Sequence, residues 1–222
     1  MSRSRRPAPR PDPPGPSPVR DTYHHGDLRR ALVDAGREVL AERGVDGLSL
    51  REVARRANVS QAAPYHHFAD KGELVSAIVQ RGFEDFSSAM RAGAEAAGGT
   101  ALQKLFGMGV AYVRFAAANP QVFRLMFRPE LRGAESGPAA IAMRAAGAES
   151  YQVFLDGVRA AVEEGAVQGS VEDVALAAWS AVHGLSTLLV DGPVDLGGRT
   201  PEELAGVVIV SLGVGIASGR LE

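Results

Sequence analysis

The chain has 222 residues and no cysteine. That excludes a disulfide scaffold, a cysteine-ligated metal site and catalysis by a thiol. A reducing cytoplasm fits this composition, and a cytoplasmic location is expected. No run reaches 18 uninterrupted apolar residues, and the most apolar segment, 204–217, has the length of a buried helix. Neither a membrane span nor a signal-peptide apolar core near the N-terminus is expected. Excess positive charge is missing as well, since the formal net charge is −2. Signatures of catalysis are equally scarce. There is no supported Ser-His-Asp order, no phosphate-cradling glycine loop and no zinc spacing, so neither enzymatic activity nor a cofactor is expected.

The charge is unevenly placed. Residues 1–20 carry five arginines against one aspartate, together with seven prolines. Such a segment cannot bury enough apolar surface to offset its ordering entropy and reads as a disordered tail. It is either a solvated tail or a basic arm that touches DNA. Residues 21–80 are nearly balanced, and residues 81–222 carry eleven basic against sixteen acidic side chains. Attraction to phosphate would therefore come from the tail and from local clusters.

From Asp27 onward the apolar residues recur at helical spacing. Leu28, Ala31, Leu32, Ala35, Val39 and Leu40 make one buried face, which Gly44 ends. Ser49-Leu50-Arg51-Glu52 reads as a capping box that opens a short helix to about Ala57. Asn58, which tolerates left-handed geometry, follows. Ser60 is placed to cap a second short helix over about 61–68, and Asp70-Lys71-Gly72-Glu73 to open a longer one ending near Gly93. After a glycine-rich link, 93–100, helices are expected at about 101–118, 121–128, 139–165, 171–190 and 201–218. The start Thr200-Pro201-Glu202-Glu203 is the clearest of these. No alternating strand pattern is evident, so the fold class is all-α.

Two short helices joined by Ala57-Asn58-Val59-Ser60 have the layout of a helix-turn-helix, whose second helix enters the major groove. The stretch from Tyr23-His24-His25-Gly26-Asp27-Leu28 through Leu48-Ser49-Leu50-Arg51-Glu52-Val53-Ala54 and Val59-Ser60 to Tyr65-His66-His67-Phe68-Ala69-Asp70-Lys71 resembles the DNA-binding head of the TetR family of regulators. A second set is similar to a TetR ligand-binding subfamily marked by a Trp/His-Gly pattern. It comprises Asn119-Pro120, Phe123-Arg124-Leu125-Met126-Phe127, and Trp179 with His183-Gly184.

Beyond the disordered tail at 1–20 that composition predicts, the resemblance implies a helix-turn-helix domain at 21–70 and a helical effector-binding and dimerisation domain at 71–222. It implies that Arg51 reaches base or phosphate, and that Gln61, Ala62 and Ala63 face base edges. Tyr65, His66 and Lys71 would contact phosphates, with Ser49 offering a hydroxyl. Elementary chemistry agrees, because Gln reads adenine, Arg reads guanine and an alanine methyl packs on a thymine methyl. Pro64 departs from the family pattern, lacks a backbone donor and disfavours α geometry at Ala63. Adjacent His66 and His67 point roughly 100° apart on a helix; His66 is expected outward and His67 inward. His24-His25 lacks a third partner at ligand spacing, so helix entry, phosphate contact and simple solvation stay open.

Trp179 and His183 share a helix face, as a packing pair or as part of a ligand pocket or dimer interface. Phe106, Tyr112 and Phe115, then Phe123, Met126 and Phe127, then Tyr151, are candidate pocket residues, although some of them must be core. A sensor of small molecules requires them to enclose a void above about 300 Å³. The partners implied are a double-stranded DNA operator, a small apolar or amphipathic effector and a second copy of the chain. Dimerisation is expected through the helices at about 171–190 and 201–218, the latter carrying Leu204, Val207, Val208, Val210 and Leu212. The expected function is an operator-binding repressor released by its effector. The alternative is a helical carrier or enzyme with a vestigial head.

Overall fold

The computed structural model describes residues 25–128, 137–192 and 197–217, with the side chains of 25–27 and 214–217 left aside. Among the described residues all regular structure is helical. Helices α1 (His25–Arg43) and α2 (Leu50–Arg56) and a 3-10 turn (Ala63–His66) form the N-terminal head. The remainder comprises α3 (Lys71–Ala97), α4 (Ala101–Ala118), α5 (Pro120–Met126), α6 (Pro138–Glu163), α7 (Val171–Asp191) and α8 (Pro201–Ala217). The tail 1–20 and His24 lie outside the described residues.

Local chemistry explains most boundaries. Leu32, Ala35, Val39 and Leu40 of α1 are buried on one face, and the helix ends at Gly44 with φ 68°. The Ser49 side chain accepts a bond from the Glu52 amide at 3.2 Å, which satisfies one orphan donor of α2. The return half of that expected capping box is replaced, because the Glu52 carboxylate pairs with Arg55 and Arg43. At the other end of α2, Asn58 has φ 55°, and Val59 N–H reaches Ala54 O (3.0 Å) while Asn58 N–H reaches Arg55 O (3.3 Å). This is a Schellman stop built on a left-handed asparagine. A complete capping box closes the start of α4, between Thr100 and Gln103.

Two elements differ from the sequence reading. The helix expected over 61–68 is a single 3-10 turn bounded by plain turns. Its bonds run three residues back, from Ala63 to Ser60, Tyr65 to Ala62 and His67 to Pro64, and Phe68 N–H closes the segment four back on Pro64 O (2.9 Å). Pro64 has no N–H and its ring restricts Ala63, so a continuous α ladder cannot form through it. The Ser60 side chain caps nothing here; its carbonyl accepts instead. The second difference is α3, which passes through Gly93 and continues to Ala97. There α3 crosses α4 so closely that a Cβ on Gly93 would lie 2.5 Å from Gly107 O, and one on Gly107 would lie 2.3 Å from Gly93 O. The glycine serves contact between helices, not termination.

The buried residues form one continuous cluster from α1 to α8. Helix α3 is its spine, since it packs against α1, α4, α5 and α6, while α4 in turn packs on α7 and α8. At 27 residues α3 is about 40 Å long. Its first turns bury Leu74, Val75 and Ile78, and its middle buries Phe86 and Met90. The Arg37–Asp85 ion pair, 2.5 Å, ties α1 to that middle section.

Candidate nucleic-acid interface and ligand cavity

The head presents one polar face. Leu50, Val53 and Ala54 on the inner side of α2 are buried, as are Pro64 and Phe68 beside the 3-10 turn. That packing turns Arg51, Gln61, Ala62 and His66 outward, with Tyr65 54% exposed. Ala63 is half-buried and Ser49 is exposed. His67 is half-buried and its ring lies beside Phe68, 6.5 Å between centroids. The Arg29 guanidinium lies over the Phe68 ring, 5.2 Å from its centroid.

Not every base on this head is equally available. Arg56 binds Glu42 and Glu38, and Arg55 binds Glu52. The Arg56 hydrogen bond holds the Glu42 carboxyl below its ordinary range, and the Arg55 bond does the same to Glu52. Arg51 makes no ion pair among the described residues. Lys71 carries a contact that its sequence position did not reveal. Its Nζ donates to the Val45 carbonyl at 2.6 Å, bracing the α1–α2 loop against the start of α3. Two ammonium donors remain for other partners. Asp70 and Glu73 cap this helix start, the former accepting from Glu73 N–H and the latter from Ala69 N–H.

The second feature is a cavity of about 370 Å³ between α3, α5, α6 and α7. Of the residues singled out from sequence, Tyr112, Met126, Phe127, Tyr151 and Trp179 line it. Phe106 lies in a separate space of about 260 Å³ between α4, α6, α7 and α8, and Tyr112 and Phe154 form the wall common to both. Phe115, Phe123 and His183 stand behind the lining. Phe115 stacks on Phe86 (5.1 Å), and Phe123 and His183 both contact Phe127 (4.9 and 4.6 Å).

Sequence reasoning overlooked the wall contributed by α3. Phe83, Phe86 and Met90 line the cavity, and their i, i+3, i+7 spacing was a readable signal.

A polar triad joins the cavity wall to α7. Trp179 Nε1–H donates to Tyr112 Oη (3.2 Å), and Tyr112 Oη lies 2.8 Å from His183 Nδ1. Indole is a donor only, so the phenol oxygen accepts from Trp179 and shares a second bond with His183 Nδ1, in which either group can be the donor. Burial pushes the Tyr112 phenol well above its ordinary value, and the Trp179 bond offsets a little of that rise. Ser150 Oγ is likewise engaged, with Ser87 Oγ at 2.8 Å. No group of three His, Cys, Asp or Glu side chains suited to a metal occurs among the described residues.

Residues 32–78 match the family described as bacterial regulatory proteins, tetR family, and residues 105–212 match the tetracyclin repressor-like C-terminal domain. A protein of unknown function from Rhodococcus sp. RHA1 is 33% identical, with a TM-score of 0.75 over 89% of this chain and 99% of that one. A regulatory protein in the tetR family from Rhodococcus RHA1 is 22% identical, with a TM-score of 0.64 over 85% and 96%. The transcriptional regulator FadR from Bacillus subtilis, solved with stearoyl-CoA, is 18% identical, with a TM-score of 0.64 over 84% and 98%. The last two likenesses speak to the fold.

Proposed function

The chain belongs to the TetR family of bacterial regulatory proteins, and from that premise we propose that it is a homodimeric repressor acting in the cytoplasm. It would bind a palindromic operator through residues 61–66 of its two subunits. A small apolar or amphipathic effector in the 370 Å³ cavity would release it. The observation that carries this reading is α3. One unbroken helix starts beside the exposed face of the head and forms a wall of the cavity, so displacement at Phe83 and Phe86 is transmitted to Lys71 and the turn before it.

Dimerisation is supported by the outer face of α7. Leu176, Ser180, Gly184 and Leu188 follow one another at intervals of four, with Leu176 and Leu188 exposed by 63% and 47%. Val207 and Val210 of α8 are also exposed by more than half. A copy of the same face would cover these apolar side chains, and the serine and glycine allow close approach. By length and composition α7 could also cross a membrane. Glu172, Asp173 and His183 on it, and its packing on α4, α6 and α8, favour the dimer instead.

Release is a shift between two dimer states, one with its recognition segments spaced for successive major grooves and one without. Moving that balance usefully takes a few kcal/mol of differential effector affinity. The test is a gel shift with DNA from upstream of the protein's own gene, repeated with added candidate effectors. Retarded DNA that an effector releases supports the reading. Absence of any retarded complex contradicts it.

A further inference from the structure

The exposed segment of the head is organised by threes. Ala63 N–H bonds to Ser60 O at 3.0 Å, Tyr65 N–H to Ala62 O at 3.1 Å and His67 N–H to Pro64 O at 2.9 Å. Residues three apart in a 3-10 turn eclipse one another, so the side chains fall into three columns. Burial tells the columns apart. Pro64 is buried and His67 half-buried, which makes theirs the inner one. Ala62 and Tyr65 are both exposed and make the outer one, with half-buried Ala63 and exposed His66 between.

Pro64 holds this register. Its ring disfavours α geometry at Ala63, and it has no N–H for the bond to Ser60 O that an α ladder would make. The buried ring fastens the turn to the head beside α2, and the Pro64 carbonyl accepts from both His67 N–H and Phe68 N–H at 2.9 Å. The neighbouring residues suit the other geometry, since Ser60 is a good helix cap and Gln61, Ala62 and Ala63 are good helix formers. The two geometries aim side chains differently. From Ala62 to Tyr65 an α-helix turns by about 300° and rises about 4.5 Å, against about 360° and 6 Å in a 3-10 turn. A rotation of about 60° displaces a Cβ by roughly 3 Å, more than a base-edge contact tolerates.

We propose that Pro64 is a specificity-determining positioning residue. Buried, it touches no base itself. By imposing the threefold register it fixes which base edges Gln61 and Ala62 meet once Tyr65 and His66 are on the phosphates. This rests on reading the head as the operator-binding face.

The test selects duplexes from a randomised library with the full-length wild type, with Pro64→Ala and with Pro64→Leu, which refills the volume of the ring. Each enriched duplex is then titrated against all three proteins by fluorescence anisotropy at one salt concentration. The wild type should bind its own duplex at least about tenfold more tightly than a variant's duplex, and both variants should lose or reverse that preference. Binding to unselected random duplex, which phosphate contacts dominate, should stay within about twofold for all three. A merely structural role for Pro64 would weaken every duplex together and leave the preference unmoved. Enrichment of the same sequence by all three proteins, or a parallel loss on selected and random DNA, overturns the proposal and leaves the operator reading intact. So does failure of both variants to keep the helical circular dichroism and cooperative unfolding of the wild type, because Pro64 would then be holding the fold. If the wild type enriches no sequence, the operator reading fails as well.

Discussion

Replacing Tyr112 with phenylalanine removes one oxygen and tests the polar joint between the cavity wall and α7. The ring and its edge-on contact with Phe86, 4.6 Å between centroids, are retained. Two partners lose their hydrogen bond, Trp179 Nε1 at 3.2 Å and His183 Nδ1 at 2.8 Å. Leaving a buried polar group unpaired costs about 1–3 kcal/mol, but both rings are half-buried and removing the phenol also relieves its own desolvation. The net expectation is a loss of about 1–2 kcal/mol. For a protein of this size that lowers the melting temperature by roughly 2–8 °C, measured at matched concentration because association shifts it too.

A second arm uses pH. The phenol is held neutral in the folded state and titrates near 10 when unfolded, so between these values the unfolded chain binds fewer protons. Its contribution is full below about pH 10 and is lost as the pH rises beyond that. Above pH 10 the wild type should therefore lose stability more steeply than the Tyr112→Phe variant. An unchanged melting temperature, with parallel pH profiles, would refute the role assigned to the triad.

Other perturbations test the frame around it. Gly107→Ala places a methyl 2.3 Å from the Gly93 carbonyl oxygen, so despite better helix propensity it should destabilise by about 1–3 kcal/mol in urea unfolding. A Cβ added at Gly184 meets nothing within 4 Å in the protomer, yet Gly184→Arg should convert the dimer to monomer in light scattering, because it sets a charge on the proposed α7 face. Lys71→Ala should weaken specific and non-specific DNA about equally and flatten the log K against log salt slope by roughly two for a dimer. An unchanged slope would leave Lys71 as a strut for Val45 alone. Gln61→Ala should lower operator binding by about 1–3 kcal/mol per contact while leaving that slope nearly intact.

What the sequence revealed follows from how local each signal is. Ser49, Asn58 and Asp70 act on backbone groups within a few residues, so the ends of α2 and the start of α3 were legible. Pro64 announced a disturbance, although its extent, a whole α-helix reduced to one 3-10 turn, was not anticipated. Gly93 misled because its purpose is set by Gly107 on another helix. The cavity was legible in kind and not in detail. Tyr112 and Trp179 line it while Phe115 and Phe123 back it, and the difference depends on how helices cross, not on residue type. The strut from Lys71 to Val45 spans 26 positions and left no periodic trace.

The most direct test of the central claim is a competition measurement by fluorescence anisotropy, using a labelled fragment from upstream of the protein's own gene. Unlabelled copies of that fragment and of a scrambled sequence compete at one fixed salt concentration, for wild type and for Gln61→Ala. The account predicts that the native fragment competes at least about 10³-fold better than the scrambled one, and that Gln61→Ala loses much of this margin. Equal competition by the two fragments would contradict it.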